Sequence, residues 1–241
     1  MARKPALAEA KTPARPQRGL LRRVLRWAVR GALGVVAAMG LAILSYGVIN
    51  PPTTPYMFAE GRRLGGVDQL WVPIERIAPA MARAAVAAED ANFCLHWGLD
   101  LAAIRAALDA GGARGASTIS QQVVKNVYLW HGRSWFRKAV EAALTPLMEA
   151  VWTKRRVLEV YLNVAEFDEG VFGVQAAAQH YFGVDAAELS DLQAARLAAV
   201  LPDPKGRSAS DPGPQVRRRT GQILDGMATI AADGRALCFS L

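Results

Sequence analysis

The 241-residue sequence is poor in the side chains that most often hold structural metal ions. It contains two cysteines and three histidines, and the histidines are scattered along the chain at His96, His131 and His180. No Cys/His spacing typical of a zinc site is present. Internal repeats and sustained strand-like alternation are also missing from the sequence. We therefore predict no metal site built from cysteine and histidine, and a mainly α fold.

Acidic residues are nearly absent from the first thirty positions. This segment holds nine of the 29 basic residues but only one of the 21 acidic residues, which leaves 20 of each for residues 31–241. The formal net charge of +8 therefore belongs to the N-terminal tail, and the remainder is neutral. A positive charge confined to a tail does not indicate a nucleic-acid ligand, so we predict no nucleic-acid partner.

Charged residues are also absent from residues 31–49. A helix of this length rises about 28 Å, close to the thickness of the hydrocarbon core of a bilayer. A cleaved signal peptide and a buried core helix are the alternatives, but the run is long for a signal peptide and residues 50–52 resemble a linker more than a cleavage site. The basic residues precede the run, which predicts a single membrane pass with the N-terminus in the cytoplasm.

The sequence thus divides into four parts. We predict a basic cytoplasmic tail over 1–30, a transmembrane helix over 31–49, a stalk and entry loop outside the cytoplasm over 50–76, and one globular domain over 77–235. Residues 51–76 are rich in proline and glycine, and 71–74 are the only candidate extended piece. Under this topology Cys94 and Cys238 face an oxidising compartment that permits a bridge. Sequence does not show that they meet, and their positions in a candidate site segment and in a tail favour free thiols.

Helix signals dominate from Pro79 onward. Proline suits the first turn of a helix, and residues able to cap helices stand at Asp100, Ser134 and Thr153. The capping-box spacing occurs at Thr118–Gln121 and Ser190–Gln193. Pro146 predicts a kink. The predicted helices cover 79–92, 101–110, 118–129, 135–152, 154–162, 194–201 and 215–231.

Three segments carry candidate chemistry. In the first, Glu89 and Asp90 follow an alanine-rich run, and neighbours on a helix point about 100° apart. One could be a catalytic carboxylate in a cleft while the other binds the following loop, where His96 and Asp100 offer partners. A frayed helix end with solvated acids is the alternative.

The other two segments carry cations. Residues 115–126 place Ser117, Gln121 and Lys125 at spacings of four, on one helix face that begins at an amide-rich N-terminus suited to an anion; an ordinary solvent-facing stripe is the alternative. Further along, the basic residues that precede or flank Glu141 at helical spacing are Arg133, Arg137 and Lys138. A salt-bridge ladder of small energetic value is the alternative there.

Together these segments resemble the five ordered motifs of the peptidoglycan glycosyltransferases, glycosyltransferase family 51. The matching stretches are residues 89–100, 115–126, 137–141, 154–163 and 173–183. The resemblance covers about 71–204 and leaves no room for a transpeptidase domain, so the chain resembles the monofunctional biosynthetic transglycosylase subgroup, as residues 130–135 and 163–167 also indicate. One departure is Asp168, where the subgroup has a glycine, which puts the conformation of that turn in doubt.

The resemblance implies a lysozyme-like α-helical glycosyltransferase domain that polymerises lipid II into β-1,4-linked glycan with inversion and release of undecaprenyl pyrophosphate. It implies that Glu89 is the general base and that Glu141 lies near the leaving pyrophosphate. The implied substrate-binding residues are Asp90, Phe93, His96, Ser117, Thr118, Gln121, Gln122, Lys125, Asn126, Arg133, Arg137 and Lys138. No tightly bound cofactor is implied, although a divalent cation such as Mg²⁺ could accompany the pyrophosphate.

The implied partners are lipid II, the growing glycan chain and the membrane, with cell-wall synthases or division proteins as further candidates. The implied location is the bacterial inner membrane, with the catalytic domain in the periplasm. Two alternatives remain. A lytic transglycosylase or lysozyme needs a general acid beside a sugar cleft but no pyrophosphate-binding cations, and a non-catalytic scaffold need not keep both glutamates.

Overall fold

The computed structural model describes residues 18–109, 111, 117–132 and 134–240. This part of the chain is mainly α-helical, as predicted, with one small sheet. The helices are α1 (Arg18–Tyr46), α2 (Pro55–Leu64), α3 (Pro79–Glu89), α4 (Leu101–Asp109), α5 (Ile119–Tyr128), α6 (Trp135–Glu149), α7 (Lys154–Val164), α8 (Val174–Phe182), α9 (Asp191–Val200) and α10 (Pro214–Ala232). The strands are β1 (Asp68–Gln69), β2 (Glu166–Asp168) and β3 (Val171–Phe172).

The chain forms two compact units, Met1–Ala42 and Ile43–Leu241. The described part of the first unit is helical and belongs to α1. The segment Arg22–Tyr46 has a mean hydropathy of 1.8 and is long and apolar enough to cross a membrane. The sequence predicts one apolar helix at this place, although α1 begins before the predicted 31–49 and ends at Tyr46.

In the second unit, α3, α9 and α10 pack against one another. The alanines of α3 make this possible, since Ala84 and Ala85 are fully buried. A Cβ placed on Gly226 of α10 would lie 3.1 Å from the Cβ of Ala87, so a larger residue at either position would collide with its neighbour. The alanine-rich run is thus a packing surface, and it carries Glu89 to the interior of the unit.

A second group of helices is built around α5, which packs against α6 and α7. α5 begins with the capping box that the sequence predicts. The Thr118 hydroxyl accepts a hydrogen bond from the Gln121 backbone nitrogen at 3.2 Å, and the Gln121 side chain accepts one from the Thr118 nitrogen at 3.1 Å. This fixes the start of α5 one residue after Thr118.

The segment between α1 and α3 differs from the prediction. A stalk and loop without a helix was expected over 50–76, but residues 55–64 form α2, so this expectation was wrong there. Pro55 is the first residue of α2, and the Thr54 hydroxyl caps it by accepting from the Met57 nitrogen at 3.1 Å. Thr-Pro is a helix-start signal that the proline-rich composition of the segment concealed.

Other boundaries differ by a few residues. α3 ends at Glu89 rather than at residue 92, α6 ends at Glu149 rather than at residue 152, and α7 continues to Val164. The small sheet, with β1 parallel and β2 antiparallel to β3, and α8 were not predicted. The kink expected at Pro146, which lies inside α6, stays a prediction.

Candidate active site

Glu89 is the last residue of α3, and both of its carboxylate oxygens accept hydrogen bonds from other helices. The Gln122 side chain of α5 donates to Oε2 at 2.9 Å, and Nη2 of Arg219 in α10 donates to Oε1 at 3.2 Å. The same Arg219 nitrogen also donates to the Ala88 carbonyl oxygen at 3.1 Å. The side chain of Glu89 keeps 14% of its surface exposed. The carboxylate is therefore held in one place while part of it stays accessible.

Burial raises the pKa of Glu89 above the ordinary glutamate value. The Gln122 hydrogen bond and the positive charges of Arg219 and Lys125 lower this pKa and offset part of the effect, while the Asp90 charge raises it further. A carboxylate with a raised pKa is a stronger proton acceptor than a solvated one. The site thus combines a fixed position with increased basicity.

Asp90 has the separate structural role that its different helix face predicts. Its Oδ2 accepts from the Ile119 backbone nitrogen at 3.0 Å, and its Oδ1 lies 2.8 Å from Nε2 of His96. Asp90 thereby places a carboxylate at the N-terminus of α5, where the helix dipole favours negative charge. It joins the end of α3 to α5 and to the loop that carries His96. The solvated helix end considered as an alternative is excluded, because only 2% of the Asp90 side chain is exposed.

The polar stripe predicted along 115–126 is only partly present. Ser117 precedes α5, and the side chain of Gln121, four residues before Lys125, is buried and bonded to the Thr118 nitrogen. Neither residue lines the cleft beside Lys125. Instead Gln122, Lys125 and Asn126 line one wall of a cleft of about 220 Å³. Their spacing of three and four places them on one face of α5.

Lys125 lies near both candidate catalytic glutamates. Within the described residues its ammonium group forms no ion pair or hydrogen bond. Burial lowers its pKa, the charges of Glu141 and Glu89 raise it in part, and Arg137 and Lys138 lower it further. All four groups are thus close enough to act on Lys125, which leaves a cation available to a ligand of the cleft.

Glu141 lies on α6, is almost completely buried, and is bonded to two cations on its own helix. Nη1 of Arg137 donates to Oε2 at 2.7 Å, and Lys138 donates to Oε1. Lys138 also donates to the Ser117 hydroxyl at 2.9 Å. Arg137 and Lys138 thus form the predicted cluster with Glu141, and Lys138 connects α6 to Ser117, which precedes α5. Arg133, which was predicted to join it, lies outside the described residues.

Sequence reasoning did not include the wall of the cleft opposite α5. Tyr56 of α2 stacks on His131 with ring centroids 3.5 Å apart, and its hydroxyl donates to Glu166. Burial lowers the pKa of His131 to about 4, with help from the positive charges of Lys125 and Arg137, and burial raises the pKa of Tyr56 to about 12. Both rings are therefore uncharged near neutral pH. These residues come from separate segments, and no local pattern joins them.

Two other predicted binding residues contribute through packing and support. Phe93 is fully buried, and the Lys154 ammonium group lies 4.5 Å from its ring centroid. Thr118, besides capping α5, donates its hydroxyl hydrogen to the Gly98 carbonyl oxygen at 2.5 Å. Neither side chain lines the cleft, so their predicted contact with substrate stays a prediction.

Asp168 leaves the turn that follows β2 well formed. Its carboxylate accepts from the Tyr181 hydroxyl at 2.9 Å and lies 3.1 Å from Nε2 of His180. The left-handed position of this turn is taken by Gly170, with φ of +75°. A side chain at position 168 is therefore compatible with the turn, which answers the doubt that the sequence raised.

Cys94 and Cys238 form a disulfide, with a sulfur–sulfur distance of 2.01 Å. The expectation of two free thiols was wrong, because the C-terminal tail folds back from α10 onto the segment that follows Asp90. Phe239 of this tail lies with its ring centroid 6.3 Å from that of Phe93. The bridge therefore connects the loop beside the candidate base to the end of the chain.

Comparisons with known proteins agree with this geometry. Residues 59–228 match the family model described as Transglycosylase. A biosynthetic peptidoglycan transglycosylase of Jannaschia sp. (strain CCS1) is 61% identical over 215 residues, which cover 89% of this chain and 90% of the relative. Proteins of the same name from Caulobacter vibrioides and Xanthomonas oryzae are 45% and 49% identical, over 86% and 83% of this chain and 92% and 86% of the relatives. The resemblance is confirmed: the chain belongs to the biosynthetic peptidoglycan transglycosylases, glycosyltransferases of cell-wall synthesis.

Proposed function

We propose that the chain polymerises lipid II, with Glu89 as the general base. The donor is a growing glycan on undecaprenyl pyrophosphate, and the acceptor is the 4-hydroxyl group of a second lipid II molecule. The observation that carries this proposal is Lys125, an unpaired cation in the described structure that is influenced by both Glu89 and Glu141. A base on one side and cations on the other match a reaction that creates an anionic leaving group.

In the proposed step Glu89 removes the proton of the acceptor hydroxyl as its oxygen attacks C1 of the donor sugar. The bond between C1 and the pyrophosphate oxygen breaks, and the pyrophosphate leaves with the electron pair. Attack opposite the leaving group inverts C1, which gives a β-1,4 link from an α-linked donor. The raised pKa of Glu89 supports this role, because it makes the carboxylate a stronger base. Gln122 and Arg219 hold the carboxylate in place through hydrogen bonds.

The cations act on the pyrophosphate. Charge accumulates on the leaving oxygen, and Lys125, Arg137 and Lys138 supply positive charge that is already in place before the reaction. Glu141 holds Arg137 and Lys138 through its two oxygens. We infer that Glu141 serves chiefly to orient these two cations, since a carboxylate placed directly against a pyrophosphate would be repelled.

The described residues do not form a metal site of their own. No group of three or more His, Cys, Asp or Glu side chains suited to a metal occurs in the described residues, and both oxygens of Glu141 are bonded to cations. A divalent cation such as Mg²⁺ would therefore have to arrive with the substrate pyrophosphate. No step of the proposed mechanism depends on it.

The N-terminal helix supports a membrane location for this reaction. We propose a single pass through the inner membrane, with the basic tail in the cytoplasm, because positive charge is concentrated before the apolar segment. The second compact unit, Ile43–Leu241, which we call the catalytic unit, then lies in the periplasm. A substrate with a lipid tail stays in the bilayer, and an enzyme anchored there meets it at a higher effective concentration. Cell-wall synthases and division proteins in the same membrane are candidate partners.

Replacing Glu89 by glutamine tests the proposal. With purified protein and labelled lipid II, we expect Glu89→Gln to slow polymerisation by about 10²- to 10⁴-fold, because the amide cannot accept the proton. Glu75→Gln is the matched control, since Glu75 is an exposed carboxylate paired with Arg155, and thermal unfolding confirms that both variants fold. Unchanged polymerisation by Glu89→Gln overturns the base assignment, and shortening of finished glycan strands by the unmutated protein favours a lytic enzyme.

A further inference from the structure

A second cleft, of about 230 Å³, opens along α10 and is lined mainly by arginine and glutamine side chains. Its lining residues are Pro202, Arg207, Gln215, Arg218, Arg219 and Gln222. The four from α10 are spaced so that they share one face of the helix. No carboxylate lines this cavity in the part of the chain that the structure describes. We call it the arginine cleft.

The guanidinium groups of this cleft have unused hydrogen-bonding capacity. Within the described residues Arg218 forms no ion pair or hydrogen bond, and Arg207 donates only to the Ala199 carbonyl oxygen at 3.2 Å. Arg219 contacts Glu89, but its Nε is buried without a hydrogen-bond partner. A buried donor without a partner costs free energy, and neighbouring guanidinium groups repel one another. An anionic ligand would relieve both costs.

The arginine cleft lies next to the candidate base. Arg219 lines it and donates to Oε1 of Glu89, whereas Gln122, which donates to Oε2, lines the cleft of α5. Pro202 lines both cavities. Glu89 lines neither cavity itself, but each of its two hydrogen-bond partners lines one of them. A substrate bound in the α5 cleft beside Glu89 therefore lies next to the arginine cleft.

We propose that the arginine cleft binds the carboxylates of the peptide that is attached to the substrate sugar. This inference rests on the proposed function, in which the substrate is a lipid-linked sugar that carries a peptide. Guanidinium groups match carboxylates with two parallel hydrogen bonds. The side-chain amides of Gln215 and Gln222 can both donate to and accept from peptide groups. Arginine together with glutamine thus suits an acidic peptide.

Pyrophosphate is the other anion of the same substrate, and guanidinium groups bind it as well. The cations beside Glu141 already provide for the leaving pyrophosphate of the donor on the α5 side. The two sources are separable, because the peptide can be shortened or its carboxylates amidated while the pyrophosphate is kept.

The test compares Arg218→Ala with Arg217→Ala in the full-length protein. Arg217 is the adjacent residue of α10, but it donates to the Pro212 carbonyl oxygen and does not line the cleft. Polymerisation is followed with lipid II that carries its full peptide and with lipid II whose peptide carboxylates are amidated. We expect Arg218→Ala to raise KM for the full substrate about tenfold, as for one lost charged hydrogen bond, with little change for the amidated substrate. Arg217→Ala should leave both values unchanged.

An equal rise in KM for both substrates assigns the cleft to the pyrophosphate and overturns the peptide proposal, as does no rise for either. If the unmutated protein makes no polymer from lipid II, the proposed function fails, and calorimetric titration with a soluble muramyl pentapeptide then decides the inference separately. Weaker binding by Arg218→Ala than by Arg217→Ala supports it, and equal binding by the two variants, or no binding by the unmutated protein, overturns it.

Discussion

At the scale of single residues, the pKa of Glu89 depends on two opposing effects, its burial and its contacts with neighbouring groups. Burial raises its pKa, and Arg219 and Gln122 lower it again. A general base acts in its ionised form, so activity falls as the pH drops through its pKa. Because the pKa of Glu89 is raised, we expect the acid limb of the kcat/KM profile to lie above the ordinary glutamate value of about 4.3.

Removing the charge of Arg219 should move this limb further. We expect Arg219→Gln to shift the acid limb to higher pH by about one unit, because the neighbouring positive charge no longer favours the carboxylate. The measurement is kcat/KM for polymerisation across pH 4–8, with Arg217→Gln as the control on the same helix. A profile of Arg219→Gln that falls in height but keeps its midpoint would show that Arg219 does not act on the ionisation of Glu89.

The sequence predicted the identity of the candidate base but not its surroundings. Helix geometry indicated that Glu89 and Asp90 have different roles, and the family resemblance implied that Glu89 is the base. The structure gives Asp90 the supporting role. Arg219 is 130 positions away from Glu89, and no spacing rule connects residues that meet only through the packing of α3 and α10. Tyr56 and His131 were missed for the same reason. Local periodicity identifies the residues that a helix presents but not those that another helix brings to them.

At the scale of elements, α5 depends on the hydrogen bonds made by Thr118. Its hydroxyl accepts from the Gln121 nitrogen and donates to the Gly98 carbonyl oxygen. Thr118→Ala removes both, and we expect a loss of about 1–2 kcal/mol in the free energy of unfolding. Thr118→Ser keeps the hydroxyl group and is the control. Denaturant titration measures the difference, and an alanine variant as stable as the unmutated protein would show that the cap is dispensable.

Helices with a side-chain cap at their start were easier to predict from the sequence than a helix without one. α5 and α7 were predicted because a side-chain cap, Thr118 or Thr153, stands within four residues of the bonded nitrogen. α8 begins after Gly173, which makes no side-chain cap, and so it had no recognisable start. The strands of the small sheet are two or three residues long, too short to show alternation.

At the scale of the whole molecule, the catalytic unit begins before the region matched by the family model. That unit starts at Ile43, whereas the match starts at residue 59. Nε1 of Trp152 donates to the Ile43 carbonyl oxygen at 2.7 Å, and Nε of Arg156 donates to the Tyr46 carbonyl oxygen at 3.0 Å. The last turn of α1 is therefore part of the folded catalytic unit.

The disulfide closes a long loop within the second compact unit. Cys94 and Cys238 are separated by 144 positions. In the chain-entropy account, a loop of this length stabilises the folded state by up to about 5 kcal/mol. We expect a reducing agent to lower the denaturant midpoint of unfolding, and the variant Cys94→Ser/Cys238→Ser to show the lower midpoint with or without reductant. Equal midpoints for the oxidised and reduced protein would contradict this expectation.

The same bridge sets an order of events during synthesis. Cys94 follows the candidate base by five positions, but its partner is made 144 positions later, after α5, α6 and α10 have all been translated. The segment around Glu89 therefore has no disulfide while the helices that supply Gln122 and Arg219 are synthesised. The link is made only once every described element of the catalytic unit exists, so oxidation marks a molecule whose synthesis has passed the last helix of its site.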